Sequence, residues 1–595
     1  MAKQIKKRCE IDAQWKWDLT HIFPSDQAWE EARTAALETI KAFAARQGHV
    51  AEDPKGTIRA FFALYERFAE IYEYAFLRQE TDNSDTVAQG LKSKAMSLAV
   101  QLESQSAFLQ PELLTLPAAE LEALQTAPDM ADYSEYIRNL IREKPHILSP
   151  EQEKLLAMMG ELQQAPDNIF SMLSNVDMTF PDVHMPDGTT SPLRESNLSA
   201  YLHDRNQDVR RQGWEGIMST YGRFGATIAA IYGASVKKDQ FNADARHMPS
   251  AVEASLFPYE IPLSVYDNLI AAVHESLPSL TDYLKLRRER MGLSELHMYD
   301  MYAPLVDNFD MDLPYPEAYQ LVLEGLAPLG EDYVAKLKEA YSGGWIDVYP
   351  NENKSSGAFS CGDLVRVHPY VLLNHNNNLT SAMTIAHELG HAMHSYFSNT
   401  HQPYPKADYS LFVAEVASTC NEALLIRHLL NRTEETQEKR YLINHFLESF
   451  RGTLFRQTMF AEFEDITHKT IESGETLTAE WMCQQYEDLN AQYYGSAVEK
   501  DDVIRYEWAR IPLFYNAFYV YKYATGYSAA TAISKKILTE GKPAAQDYIR
   551  FLKTGESDYP IELLKIAGVD MSSPLPVQQA METFNQLLDE FESLL

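Results

Sequence analysis

Ile385-Ala386-His387-Glu388-Leu389-Gly390-His391-Ala392-Met393-His394 is the stretch on which the reading of this chain turns. Two histidines four residues apart stack on one face of a helix, about one turn from each other. That spacing suits two corners of a tetrahedral zinc site. Glu388 then projects beside the open position, where a carboxylate can take a proton from water. Ile385, Leu389, Ala392 and Tyr396 form an apolar stripe on the opposite face, so the segment predicts a helix over about 381–397 that packs one side and presents the other. Thr380 or Ser381 is the expected N-cap, after the turn-prone run Asn374-His375-Asn376-Asn377-Asn378.

A third ligand is expected downstream. The metzincin spacing places Gly three and His six residues past the second His; His394 and Phe397 stand there, which excludes that class. Asp408, Glu415 and Glu422 are the candidate carboxylates. Leu411 to Glu422 reads as helix, and Glu415 sits among Val413, Ala414, Val416 and Ala417. A carboxylate in small apolar surroundings needs a partner, and a metal is the obvious one. Glu422, two turns on, is placed to accept from the outer N–H of a ligating imidazole, and His394 is a further candidate for that surrounding layer.

The run Ala386 to His394, with Phe412-Val413-Ala414-Glu415-Val416-Ala417-Ser418 after it, resembles the thimet/neurolysin type of zinc oligopeptidase. Further matches narrow the resemblance to oligoendopeptidase F. They are Trp15-Lys16-Trp17-Asp18-Leu19 with Ile22-Phe23, Lys354-Ser355-Ser356-Gly357-Ala358-Phe359-Ser360, His368-Pro369-Tyr370-Val371-Leu372-Leu373-Asn374, Trp508-Ala509-Arg510-Ile511-Pro512, and Phe518-Tyr519-Val520-Tyr521-Lys522-Tyr523-Ala524-Thr525-Gly526. They extend over nearly the whole chain. The resemblance implies His387, His391 and Glu415 as ligands of one Zn2+ per chain and Glu388 as catalytic base. It also implies a mostly helical, two-lobed shell around a deep channel that takes short unfolded peptides. One position departs from the family pattern: a His follows the Ile-Pro pair there, and Leu513 follows it here. The readings left beside an endopeptidase are a zinc exopeptidase and a peptide-binding relative with weak catalysis.

Tyr515, Tyr519, Tyr521 and Tyr523 lie close together, and 515, 519 and 523 follow a helical row. An aromatic row at that spacing is commonly core. The resemblance implies that one or two of these phenols donate to the oxyanion, Tyr519 and Tyr515 foremost, with Tyr521 and Tyr523 beside the substrate. Gly357 and Ala358, in a small flexible run, are the expected backbone contact for an extended peptide laid along a sheet edge.

Composition agrees with a large helical protein. The chain has 595 residues, enough for a substantial core and more than one lobe. Its 85 acidic against 52 basic residues leave a formal charge of −33, which argues against nucleic acid and anionic membranes as partners. Cys9, Cys361, Cys420 and Cys483 show no paired spacing, so no disulfide framework is expected. The charged run Met1 to Arg8 carries no secretory pattern, no apolar stretch is long enough to span a membrane, and a cytoplasmic location is expected.

The expected fold is mainly α, of the zincin type, with a small β-sheet beside the metal helix. An N-terminal helical lobe is expected over 1–175 and a catalytic domain over 176–595. Ser25 and Asp26 start the first long helix, with helical patterns through 55–80, 85–130, 150–174 and 197–343. Val176 to Phe180, followed by Pro186-Asp187-Gly188-Thr189, reads as a β-hairpin. A β region is expected over about 345–374, with strands at 345–349, 364–367 and 370–373.

Overall fold

The computed structural model describes residues 5–306 and 311–595; Met1–Gln4, the start of the N-terminal run read above, lie outside them. The structure is 73% helical, with two small sheets, so the chain is mainly α as its composition and periodicity predict. Contacts divide it into two units. One comprises residues 1–145, 310–432 and 529–570; the other comprises 146–309, 433–528 and 571–595.

In the first unit, helices Asp26–Ala44, Pro54–Glu80 and Thr86–Ser106 enclose a core that includes Trp29, Ile40, Ile58, Ile71 and Leu98. Ser25 caps the first of these, accepting from the Ala28 N–H. The buried Trp29 indole donates to the Ile71 carbonyl at 2.7 Å, so its polar edge is satisfied where its ring is desolvated. A second cluster, Trp17, Leu77, Cys361, Leu364, Tyr370 and Leu372, joins the N-terminal segment and the second helix to a three-stranded sheet.

That sheet holds the strands β3 (Ile346–Asp347), β4 (Phe359–Cys361) and β5 (Tyr370–Leu372) in the order β3-β5-β4, with β3 parallel and β4 antiparallel to β5. The strand expected at 364–367 lies instead at 359–361. Leu364 and Val367 close a turn and pack individually against the Trp17 cluster, so their apolar character serves burial without ladder pairing. Lys354 clasps the sheet. Its ammonium donates to the carbonyls of Tyr349 (2.8 Å) and Leu373 (2.6 Å) and pairs with the Asp347 carboxylate at 2.7 Å, and both side chains are 1% exposed. Arg8 pairs with the same carboxylate from the N-terminal segment.

In the second unit, helices Gln207–Arg223, Gly225–Ala245, Arg456–Glu472 and Ala479–Tyr494 carry a buried ionic core. Arg210 binds Asp300 through Nε and Nη2 at 3.0 and 2.7 Å, and Arg456 meets Glu507 at 2.6 Å. The hairpin after residue 176 is present, but its strands are β1 (Val183–His184) and β2 (Thr190–Ser191). The expected strand at 176–180 does not form: residues Leu173–Asp177 continue the preceding helix as a π-turn, with Val176 exposed. Helical continuation outweighed a short alternation that had no sheet to join.

Candidate metal centre

The motif helix runs Leu379–His401 and the helix after it Leu411–Arg432. The motif helix is capped by Asn378, whose side chain accepts from the Ser381 N–H at 2.9 Å; the cap falls two residues before the expected Thr380. Asn377, in the left-handed region at φ 55°, makes the turn into the cap, a conformation Asn tolerates better than most residues. Ile385, Leu389 and Ala392 are buried on the packed face.

Gly390 sets the distance between the two helices. A Cβ there would stand 2.5 Å from the Ser418 Cα and 2.6 Å from the Ala417 carbonyl oxygen, so no other residue permits this approach without displacing backbone. The Asn421 amide then donates to the Ala386 carbonyl at 3.1 Å and accepts from the Tyr333 hydroxyl at 3.1 Å, which fixes the rotation of one helix against the other.

With the helices so held, three donor atoms converge. The Nε2 atoms of His387 and His391 are 3.3 Å apart, and Glu415 Oε2 lies 3.5 Å from the first and 3.7 Å from the second. A tetrahedral site with bonds of about 2.0–2.1 Å has donor–donor edges of about 3.4 Å. The triangle and its two-imidazole, one-carboxylate chemistry therefore fit a zinc-sized ion. It is the only such cluster of three among the described residues.

The surroundings orient each donor. Glu422 Oε1 lies 3.4 Å from the outer nitrogen Nδ1 of His387. The Ala414 backbone hydrogen-bonds His391. Ser418 Oγ donates to Glu415 Oε2 at 2.9 Å and to the Glu415 carbonyl at 3.0 Å. Burial opposes a charge on His387, but the bond and charge of Glu422, with Glu388 and Glu415, outweigh it and lift the imidazole to about 9. His391 is pushed down by burial and by the charge of His387. Glu388 is 7% exposed, and burial raises its carboxyl to about 7, near neutrality, where a group can both take and return a proton. The pattern is that of a carboxylate-rich pocket that favours one positive charge at its centre.

The remaining residues singled out in the sequence fall as follows. Asp408 is exposed, and its carboxylate accepts from the Tyr409 N–H at 2.7 Å, outside the donor triangle. His394 is buried with its ring stacked on Tyr409 at 3.7 Å and near Phe551 at 5.4 Å. Burial, with the charge of His391, holds it down at about 3, and its Nδ1 makes no hydrogen bond. Gly357 (φ +86°) and Ala358 lead into β4, an edge strand paired on one side to β5. The Asn374 amide fastens that approach by donating to the carbonyls of Ser355 (2.9 Å) and Gly357 (2.8 Å).

The four tyrosines belong to the second unit's stretch 433–528, and they do not form the expected helical row. Pro512–Tyr515 is a 3-10 turn, Phe518 takes φ +54°, and the helix begins only at Tyr521. Pro512 and the left-handed residue break the register that the spacing suggested. Tyr515 is buried, stacked on Phe170 at 4.7 Å, with its hydroxyl unpaired. Tyr519 and Tyr523 meet edge-on at 5.4 Å, Tyr521 packs on Tyr266 at 5.2 Å, and Leu513 is half-buried. Ser418, Asn421 and the spacing role of Gly390 were not read from the sequence. Ser418 could have been, since it stands three residues past Glu415 on the same helix.

Comparison with known proteins agrees with this geometry. The family model described as peptidase family M3 matches residues 200–583, and the model described as oligopeptidase F matches 112–180. Oligopeptidase PepF of Bacillus subtilis is 44% identical over 598 residues, covering 100% of this chain and 89% of that one. Group B oligopeptidase PepB of Streptococcus agalactiae is 36% identical, covering 99% and 98%. A solved chain from Chlamydophila abortus superposes with a TM-score of 0.92 at 32% identity, covering 100% of both. The oligoendopeptidase-F of Enterococcus faecium does so with 0.74 at 35%, covering 96% and 99%. With an HExxH helix, a glutamate helix pressed against it, and a match through both, the chain belongs to peptidase family M3, in its oligoendopeptidase F branch of metallopeptidases.

Proposed function

We propose that the protein is a zinc-dependent endopeptidase acting on short, unfolded oligopeptides, with His387, His391 and Glu415 as the metal's ligands. The triangle of donor atoms with 3.3–3.7 Å edges, beside a buried Glu388, carries this reading. When bound, zinc supplies a Lewis acid that polarises a carbonyl and lowers the pKa of water. Glu388 acts as general base toward the attacking water and then as acid toward the leaving amine, for which its near-neutral carboxyl is suited. Glu422 and the Ala414 backbone hold the two imidazoles in the orientation that turns Nε2 inward, and Ser418 holds Glu415.

The free edge of β4, led by Gly357 and Ala358, offers backbone groups to an extended peptide, which gives affinity with little sequence demand. Tyr519 and Tyr515 are the proposed oxyanion donors, with Tyr521 and Tyr523 as substrate contacts and Glu422 and His394 in the layer around the ligands. Among the described residues no helix is long and apolar enough to cross a membrane, and all four cysteines are unpaired, which fits a reducing, cytoplasmic compartment.

The test is an internally quenched peptide blocked at both ends. Cleavage that stops on chelation and returns with stoichiometric zinc is the expected result. Cleavage only of peptides with a free terminus would make the protein an exopeptidase.

A further inference from the structure

One apolar surface in the second unit is not accounted for by its core. Leu155, Met158, Leu162, Ile169, Met172 and Val176 are each more than half exposed, with Met158 and Leu162 at 70%. Their spacings alternate three and four, with the half-buried Ala165 in the intervening place, so they form one ridge. The ridge runs along helices Pro150–Met158 and Gly160–Met172 into the π-turn, and Met159 between them keeps a right-handed helical conformation.

The other face of the ridge is firmly attached, so its exposure is not that of a frayed end. Glu153 binds Arg246 at 2.8 and 3.0 Å, Gln163 and Asn242 exchange amide hydrogen bonds at 3.1 and 3.3 Å, and Phe170 stacks on Tyr515. Exposed apolar surface of this continuity marks a binding site. Two methionines and the Leu and Ile side chains make it adaptable to differing partner side chains.

We propose that the ridge Leu155–Val176 is a docking surface for the apolar side chains of unfolded peptide substrates, with preference for peptides that also carry basic residues. This deepens the peptidase reading and rests on it. Two observations select a peptide over a second copy of the chain. The ridge is about 32 Å long at 1.5 Å per residue and about 10 Å wide, so two copies would bury on the order of 600–700 Å2. A stable dimer needs roughly 1,200 Å2 or more. Glu151 and Glu161 are exposed beside the ridge and Asp177 at its end, against Lys154, so two copies would oppose like charges while a basic peptide is attracted.

The experiment measures binding of two labelled peptides of equal length, one apolar and basic, one rich in Gly and Ser, to the full chain bearing Glu388→Gln. The double change Leu162→Gln with Met172→Gln is compared with its parent, and a matching thermal transition confirms that the exposed substitutions leave the fold intact. The expected result is a Kd for the apolar, basic peptide raised fivefold or more, with less than twofold change for the other. In a second variant, Glu151→Lys with Glu161→Lys weakens the basic peptide selectively. Equal or absent effects on the two peptides overturn the proposal. So does sedimentation showing a parent dimer that the double change dissociates, because the ridge would then be a self-interface. Ridge-dependent binding without turnover of either peptide by the unmutated, zinc-loaded chain upholds the ridge and sinks the peptidase reading. Turnover with ridge-independent binding does the reverse.

Discussion

Glu388 and its neighbours divide their work by position on two helices. His387 and His391 point Nε2 inward because Glu422 and the Ala414 backbone occupy their outer sides, while Glu388 stays off the triangle and buried. Glu388→Gln is therefore expected to keep full metal content and lower kcat by at least 1,000-fold, read by metal analysis beside single-turnover kinetics. Loss of the metal together with activity would place Glu388 among the ligands instead. The carboxylates and hydroxyl around the triangle give a graded series. Glu415→Ala empties the site, Glu422→Ala weakens metal affinity by about 10- to 100-fold, and Ser418→Ala by about 10-fold, since it only frees Glu415 to rotate. Competition with a chromophoric chelator measures the order, and an Asp408→Ala variant that lost its metal would contradict it.

At the scale of elements, the close crossing of helices 379–401 and 411–432 is what brings Glu415 to the histidines. Gly390→Ala places a methyl against the Ser418 backbone, and relief requires moving a whole helix. The expected cost is about 1–3 kcal/mol of stability with a matching fall in metal affinity, read from urea unfolding and metal titration. An unchanged metal affinity would show that the triangle forms without that contact. The seam between helix 54–80 and β4 makes a different prediction. Glu73 is buried there, accepting from the Cys361 thiol at 3.0 Å, and burial raises its carboxyl to about 7. A carboxyl raised in the fold holds its proton longer than in the unfolded chain. Its stabilising share is thus complete below about 4.5 and is lost as pH climbs through 7. Glu73→Gln, which cannot ionise, should gain on the unmutated chain by on the order of 2–3 kcal/mol between pH 5 and pH 8. A stability difference that is flat across that range would mean Glu73 ionises freely.

At the scale of the molecule, the donors come from two helices close in sequence, whereas their unit is assembled from three separate segments. Metal binding should therefore stabilise the folded chain and not the unfolded one. With zinc at a thousandfold excess over its Kd the gain is about 4 kcal/mol, seen as a higher Tm that chelation reverses. Glu415→Ala should abolish the metal-dependent increment while leaving the metal-free Tm within a few degrees of its parent. An increment that survives in that variant would place the stabilising ion elsewhere.

The helical class, the motif helix, its histidines and the carboxylate that joins them were all legible along the chain, because they depend on spacings within one or two turns. Ser25 capping the first long helix was legible for the same reason. Other features were decided only by packing between distant segments. Phe359–Cys361 became the edge strand, and Leu364 and Val367 a turn, because Trp17 and Leu77 provide a cluster for those side chains to fill. The tyrosine row dissolved where Pro512 and Phe518 bend the backbone ahead of Tyr521. Gly390 reads in the sequence as one letter inside a motif; its meaning as a spacer appears only once Ser418 lies against it. The chemistry of the site is local and therefore written in the order of residues. Its geometry depends on what packs against each helix, and that is a property of the folded chain.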